Sequence, residues 1–212
     1  MTRLNLKLLG YPEILLDGAD ISETLVPYQK AFSMIVYLIM TGQPQSRLHL
    51  AELLWPETDE RTALAYLRGR AGLTRIRDSL DRFFQIERHS VAFAGDTDVH
   101  FDVAEFQSLL GREAPLEQIE AAVALYRDDF CSGFLPDGVS AEFEMWLFRW
   151  REQLRQKQMS ALEHLVTAYS RWHGYERALR YAERLLRMEP WLEGTHRWLM
   201  SLYAWQGQWE RA

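Results

Sequence analysis

The architecture of this chain depends on residues 59–94, which read DERTALAYLRGRAGLTRIRDSLDRFFQIERHSVAFA. The first part predicts one long helix that begins after Thr58 or Asp59, whose side chains can cap it, and ends near Leu80. The second part predicts a hairpin, because two short apolar runs flank a charged pair. We therefore expect a helix that is followed directly by two antiparallel strands.

The predicted strands of this hairpin are Phe83–Glu87 and Ser90–Ala94, which meet around Arg88 and His89. Their aromatic and β-branched residues favour an extended backbone. Asp98–Phe101 is predicted to add a further strand after the hairpin.

Two helices are predicted before the long one. Tyr28–Met40 is strongly apolar over a helical length, and a Gly-Gln-Pro sequence after Thr41 predicts its end. Ser46 is placed to cap a short helix that runs to Leu54 and stops before Pro56. The hairpin thus follows three helices.

Short strands are predicted at the N-terminus. Residues 3–9 alternate polar and apolar side chains, as in a half-buried strand. Glu13–Leu16 predicts a second strand and Ile21–Val26 a third, which Pro27 ends. Strands, three helices and a hairpin, in that order, predict an α+β winged helix with an N-terminal sheet, over residues 1–105.

The second half of the chain is predicted to be all helical. Its helical patterns are separated by Gly and Pro. They cover residues 103–110, 115–128, 140–171, 175–188 and 191–206. We place the domain boundary at residue 105, so that residues 106–212 form the helical domain.

A period of 34 residues appears in this helical half. Tyr175–Ala178 recurs as Trp209–Ala212, and Leu165 and Tyr169 recur as Leu199 and Tyr203. Repeats of this length are typical of tetratricopeptide-like helical hairpins, in which each hairpin buries its apolar face against the next. Because the chain stops within a repeat, we expect it to be truncated at its C-terminus.

Composition bounds the class of protein. The chain has 212 residues, one cysteine (Cys131) and a net charge of −6. A lone cysteine cannot form an intrachain disulfide, and the N-terminus has no export signal. No apolar run is long enough to cross a bilayer. These features predict a cytoplasmic protein without a membrane partner.

Several short motifs carry a family resemblance. In chain order they are Leu53-Leu54-Trp55-Pro56, Arg70-Ala71-Gly72-Leu73-Thr74-Arg75-Ile76-Arg77, Asp102-Val103-Ala104-Glu105-Phe106, Ala124-Leu125-Tyr126-Arg127 with Phe130, and the helix around Trp146 with Arg149, Arg151 and Leu154. Together they resemble the Streptomyces antibiotic regulatory protein type of transcription regulator, over nearly the whole chain.

The resemblance implies a response-regulator-like winged helix whose third helix enters the major groove of double-stranded DNA. It also implies a bacterial transcriptional activation domain of tetratricopeptide-like helices, which contacts RNA polymerase or a second protomer. The chain departs from relatives at Arg68 and Gly69, where they usually have Asn and Leu. Gly69 and Gly72 each weaken a helix by about 1 kcal/mol, so this helix either orders on DNA or has lost DNA binding.

The third helix is also rich in arginine. On a continuous helix Arg68, Arg75 and Arg82 form one stripe at seven-residue spacing, and Arg70 and Arg77 form a neighbouring one. Guanidinium groups can bind phosphate or a guanine edge. The residues predicted to contact DNA are Arg68, Arg70, Thr74, Arg75, Arg77, Arg88 and His89.

Three alternatives stand beside DNA binding. The arginines could form an ordinary solvated helix face that pairs with Asp78 and Asp81. The winged helix could instead be a protein-interaction or dimerisation module of a larger signalling protein, because residues 1–110 hold eleven Lys/Arg against fifteen Asp/Glu. An enzyme is not predicted, since phosphate-loop, nucleophile-elbow and zinc-site patterns are absent. We expect no catalytic residues, metal or cofactor.

Overall fold

The computed structural model describes residues 3–95 and 98–207. They divide into two compact units. The first unit holds the chain up to Asp102 together with Phe130–Arg151, and the second holds Val103–Asp129 and the chain from Glu152 onward. Residues 130–151 therefore belong with the N-terminal residues, although their sequence is part of the helical half. The boundary at residue 105 between a winged-helix domain and a helical domain stays a prediction.

The strands of the first unit form two small sheets. They are β1 (Leu4–Lys7), β2 (Glu13–Leu16), β3 (Ala19–Asp20), β4 (Gln45–Ser46), β5 (Phe84–Ile86), β6 (Ser90–Phe93) and β7 (Val99–Phe101). One sheet has the order β3-β2-β1-β7 and the other the order β4-β6-β5. The first two predicted strands and the hairpin are confirmed. The N-terminal sheet is thus present, but its fourth strand, β7, follows the helices and the hairpin in the chain and pairs in parallel with β1.

The strand predicted at Ile21–Val26 is wrong, because residues Ser22–Leu25 form the short helix α1. The Asp20 carboxylate accepts hydrogen bonds from both the backbone N–H (2.8 Å) and the hydroxyl of Ser22. Such a local side-chain contact turns the backbone away from an extended conformation. The β-branched residues of this segment therefore do not continue the sheet.

The remaining helices follow the predicted order. They are α2 (Gln29–Thr41), α3 (Arg47–Leu54), α4 (Glu60–Arg68), α5 (Leu73–Leu80), α6 (Asp102–Leu109), α7 (Leu116–Leu125), α8 (Ala141–Arg171), α9 (Tyr175–Met188) and α10 (Glu193–Trp205). Ser46 and Asp59 cap α3 and α4 by accepting the backbone N–H of His49 and Thr62. Every helix in the described ranges is too short or too polar to cross a lipid bilayer.

The single long helix predicted between Asp59 and Leu80 is wrong, because the helix is interrupted at residues 69–72. Gly69 is extended, and the backbone N–H of Gly72 donates to its carbonyl at 3.1 Å. A Cβ on Gly72 would lie 2.4 Å from the Leu67 carbonyl oxygen, so this close backbone approach requires glycine. The two glycines that were expected to soften the helix instead divide it into α4 and α5.

Two sets of polar contacts, one buried and one half-buried, hold parts of the first unit in place. Asp102 is only 3% exposed, and its two carboxylate oxygens accept the backbone N–H groups of Leu8 and Leu9, both at 2.9 Å. The guanidinium of Arg151 donates to three backbone carbonyls, those of residues 130, 131 and 134, at 2.7–2.9 Å. Asp102 thus ties the end of β7 to the residues after β1, and Arg151 fixes the turn at residues 130–134. The segment 130–151 joins the N-terminal residues where Leu9 pairs with Phe130 and the N–H of Cys131 donates to the Leu8 carbonyl at 2.7 Å.

The second unit has its own apolar core, which α7, α8, α9 and α10 share. Its buried members are Ile119, Val123, Ala161, Leu162, Leu165, Val166, Tyr169, Ala178, Ala182, Leu185, Leu199 and Leu202. Three of the four predicted repeat positions, Leu165, Tyr169 and Leu199, lie in this core, and Tyr203 packs against it. The recurrence at Trp209–Ala212 lies outside the described residues.

A carboxylate in the second unit is bound by two tyrosines. Glu120 accepts the hydroxyls of Tyr169 and Tyr181 at 2.8 and 2.7 Å. The hydrogen bond from Tyr181 is the main reason why the pKa of Glu120 is lowered, although burial opposes this change. Burial, together with donation to Glu120, raises the pKa of Tyr181 to about 12. The network thus requires an ionised carboxylate and a neutral phenol.

We therefore expect the second unit to lose stability at both ends of the pH range. A lowered carboxylate pKa stabilises the fold above about pH 4.5, and this contribution is lost as the pH falls through the lower pKa of folded Glu120. A raised tyrosine pKa stabilises below pH 10, and that contribution is lost as the pH rises toward about 12. Circular dichroism would measure the melting temperature from pH 3 to 12, in steps of roughly 0.5 pH units. We call its fall at low pH the acid limb of the profile and its fall at high pH the alkaline limb.

Glu120→Gln is expected to flatten the acid limb and Tyr181→Phe the alkaline limb. Glu117→Gln, on the exposed side of the same helix, is the matched control and keeps the wild-type profile. If Glu120→Gln and Glu117→Gln gave the same acid limb, the network would not be the cause.

Candidate nucleic-acid interface

Backbone pairing brings the start of α3 next to the tip of the hairpin. Strand β4 pairs with β6, with Ser46 opposite Ser90. The backbone N–H of Arg47 then donates to the carbonyl of His89 at 2.9 Å. The first residue of α3 and the hairpin tip are therefore held side by side, independently of their side chains.

A cavity of about 430 Å³ opens at this place. We call it the cationic cavity. Its lining residues are Ser46, Arg47, Leu48, Glu60, Leu64, Arg68, Arg88 and His89. Three of the predicted DNA-contact residues thus meet here, although they come from the end of α4 and from the hairpin. Glu60 is the one carboxylate in that lining.

Arg47 lies within a field of positive charge. Burial lowers the pKa of its guanidinium, and the charges of Arg77 and Arg68 lower it further. Arg77 of α5 therefore acts electrostatically on Arg47, although it is not among the residues that line the cavity. The structure therefore brings Arg68, Arg88 and His89 together with Arg47, and the charge of Arg77 acts on this group.

The other predicted contact residues have different surroundings. Arg70 is exposed in the turn between α4 and α5. Thr74 donates its hydroxyl to the carbonyl of Arg68 at 3.0 Å and so helps to shape this turn. The guanidinium carbon of Arg75 lies 3.5 Å from the centroid of the Tyr28 ring, a cation–π contact.

The predicted stripe of Arg68, Arg75 and Arg82 is wrong, because it needs a continuous helix and the glycines interrupt it. Arg82 lies in a 3-10 turn and forms an ion pair with Asp98 at 3.7 Å. Sequence reasoning also missed Arg47. Its position directly after the capping Ser46 was the available signal, since a helix start beside a hairpin is where an anion would be received.

Comparison with known proteins identifies the family. Residues 101–212, more than half of the chain, match the family model described as the bacterial transcriptional activator domain. The chain belongs to the bacterial transcriptional activator domain family. The resemblance to transcription regulators is thus confirmed at the level of this domain, and the chain is a member of a transcriptional activator family.

A solved structure supports the fold of this family member. The structure of Mycobacterium tuberculosis EmbR in complex with a low-affinity phosphopeptide is similar, with a TM-score of 0.59 and 18% identity. The match covers 98% of this chain and 56% of that one, so the chain spans little more than half of the EmbR structure. No curated protein matches the sequence.

The described residues of this activator-domain protein contain no group of three His, Cys, Asp or Glu side chains that could hold a metal ion. The chemistry that the cationic cavity offers is that of its arginines. Guanidinium groups around a cavity suit an anionic ligand. The phosphates of DNA are such anions, and they occur at regular spacing along the duplex.

Proposed function

We propose that this chain is the DNA-binding and activating part of a bacterial transcription regulator. The first unit acts as a response-regulator-like winged helix that binds double-stranded DNA with sequence specificity. The observation that carries this proposal is the gathering of Arg68, Arg88 and His89 with Arg47, from the end of α4, the hairpin tip and the start of α3. Arg77 of α5 adds a positive charge that acts on Arg47.

Each predicted contact residue has a role in this proposal. Arg70 and Arg77, which are exposed, would reach base edges or phosphates in the major groove. Arg88 and His89 at the hairpin tip would contact the backbone or the minor groove, and Arg68 would contact phosphate. Thr74 and Arg75 would have to exchange their intrachain contacts for DNA contacts.

The acidic character of the rest of the protein surface is compatible with DNA binding by the first unit. The net charge of −6 repels DNA from most of the surface, so binding would be limited to the local cationic region. The affinity would fall steeply with salt, since neutralisation of phosphates dominates it.

The second unit would serve as the activation module of the same cytoplasmic regulator. Its helices α7 to α10 share one core, which suits stacked tetratricopeptide-like hairpins. We propose that residues 106–212 contact RNA polymerase or a second protomer. Residues 106–212 lie within the family match, which begins at residue 101.

A binding experiment tests the proposal. Fluorescence anisotropy against random and selected duplexes is expected to show salt-dependent, sequence-selective binding. The triple variant Arg70→Ala, Arg77→Ala and Arg88→Ala is expected to bind about 100-fold more weakly, because each lost contact costs about 1 kcal/mol or more.

Three arginines of the second unit provide the control. Arg112→Ala, Arg180→Ala and Arg197→Ala remove the same charge from exposed positions, and this triple variant should bind as the wild type does. Absence of binding by the wild type at low salt, or equal loss in both triple variants, would remove the DNA-binding proposal.

A second candidate function is a protein-interaction or dimerisation module that no longer binds DNA. The interruption at residues 69–72 favours it, because a divided helix presents a shorter surface to a groove. Under this function the wild type would fail to bind any duplex, and sedimentation would instead show self-association or a partner complex.

A further inference from the structure

The cationic cavity is assembled against the mutual repulsion of its own charges. Arg47, Arg68 and Arg88 line it, with Glu60 as the one carboxylate among its described lining residues. The positive charges of Arg77 and Arg68 add to the effect of burial in lowering the pKa of Arg47. A fold does not gain stability from such an arrangement, so a bound anion is the natural counterpart.

We propose that the cationic cavity is a phosphate-binding site and that Arg47 is its central ligand. The phosphate is a phosphodiester of the DNA backbone, so this inference rests on the proposed function and adds one position to it. The site would fix the register of the first unit on the duplex and would read no base.

The cavity offers guanidinium nitrogens to such a ligand. The Nε of Arg47 is buried and has no hydrogen-bond partner in the described part of the chain, so a ligand in the cavity would be bound by the terminal nitrogens of Arg47. Arg68 uses its Nε to donate to the Leu64 carbonyl at 3.0 Å, which orients its guanidinium and leaves its terminal nitrogens for another acceptor. A tetrahedral phosphate accepts several such donors at once.

The position of the cavity also favours a backbone phosphate over an acidic protein segment. Arg47 begins α3, whose N-terminus carries partial positive charge, and Ser46 already satisfies the backbone N–H of His49. Arg77, whose charge acts on Arg47, belongs to α5, which is the helix that we place at the major groove. A phosphate at the groove edge would therefore meet Arg47 while α5 faces the bases.

The first test is the salt dependence of DNA binding. Arg47→Gln should reduce the slope of log affinity against log salt by about 1 and weaken binding equally for all duplexes. Arg47→Lys keeps the charge and should keep the slope, with a lower affinity because the planar fork is lost. Arg180→Gln, an exposed arginine of the second unit, is the charge-matched control and should leave the slope unchanged.

The second test uses pyrophosphate as a probe and the melting temperature as the readout. Pyrophosphate is expected to raise the melting temperature of the wild type and not that of Arg47→Gln. Without ligand, Arg47→Gln should melt at the wild-type temperature or above it, because one source of repulsion is removed. A residue that merely supported the fold would lower it instead.

The outcomes separate the two proposals. If the variant binds DNA with an unchanged slope, or loses affinity for selected duplexes only, the phosphate site is wrong and the DNA-binding proposal stands. If the wild type binds no DNA but pyrophosphate stabilises it through Arg47, the phosphate site stands with a free phosphate compound as its ligand. If neither binds, both proposals are wrong.

Discussion

Asp102→Ala is expected to lower the free energy of unfolding of the first unit by about 4 kcal/mol, since it leaves two buried N–H groups unpaired at about 1–3 kcal/mol each. The Asp102 side chain is 3% exposed and accepts the backbone N–H groups of Leu8 and Leu9, both at 2.9 Å. Single domains are stable by only about 5–15 kcal/mol, so this is a large fraction of the total. Urea denaturation followed by tryptophan fluorescence would measure it.

Two variants make this measurement specific. Asp102→Asn keeps one acceptor oxygen and should cost less than the alanine variant, because only one N–H group then faces an amide nitrogen. Glu52→Ala removes an exposed carboxylate from α3 of the same unit and should change stability by less than about 0.5 kcal/mol. Equal stability of Asp102→Ala and Glu52→Ala would show that the two buried hydrogen bonds do not support the fold.

Gly72→Ala is expected to cost about 3 kcal/mol, the upper end of the usual penalty for added volume. Its Cβ would lie 2.4 Å from the Leu67 carbonyl oxygen, 3.0 Å from the carbonyl carbon and 3.1 Å from the Cα. These neighbours are backbone atoms, which cannot rotate away as the end of a side chain can. The turn between α4 and α5 must therefore open, and the urea midpoint should fall.

Gly69→Ala is the matched control in the same turn. Its Cβ would meet the Ala65 carbonyl oxygen at 3.4 Å, an ordinary contact, and its φ of −79° suits any residue. We expect a change of less than about 1 kcal/mol. If the two glycine variants had the same stability, or if Gly72→Ala were the more stable one, the divided helix would not be the native conformation.

Local signals sufficed wherever the stabilising contact lies within a few residues. The caps at Ser46 and Asp59 and the left-handed Gly42 that ends α2 are short-range features, and all three are found as expected. The hairpin strands were also located to within a residue or two at their ends. Their alternation and turn chemistry depend on neighbours along the chain.

Features that depend on distant partners could not be predicted in the same way. Strand β7 was expected to extend the hairpin, yet it pairs in parallel with β1 at the other end of the unit. The chain cannot signal a parallel partner about 95 residues away through local periodicity. Residues 130–151 likewise join the first unit through partners far away in the chain, since Leu9 pairs with Phe130 and the backbone N–H of Cys131 donates to the Leu8 carbonyl at 2.7 Å.

For the candidate site, the order of residues in the chain predicted a cluster of arginines near a helix and a hairpin. Their spacing on a continuous helix then predicted two neighbouring stripes. The close approach of Gly72 to Leu67 redistributes them, because it divides the helix, while β4 brings Arg47 to the hairpin tip. Residue type therefore established which charges this protein carries. Which of those charges meet was decided by steric contact and strand pairing between segments far apart in the chain, which no local pattern encodes.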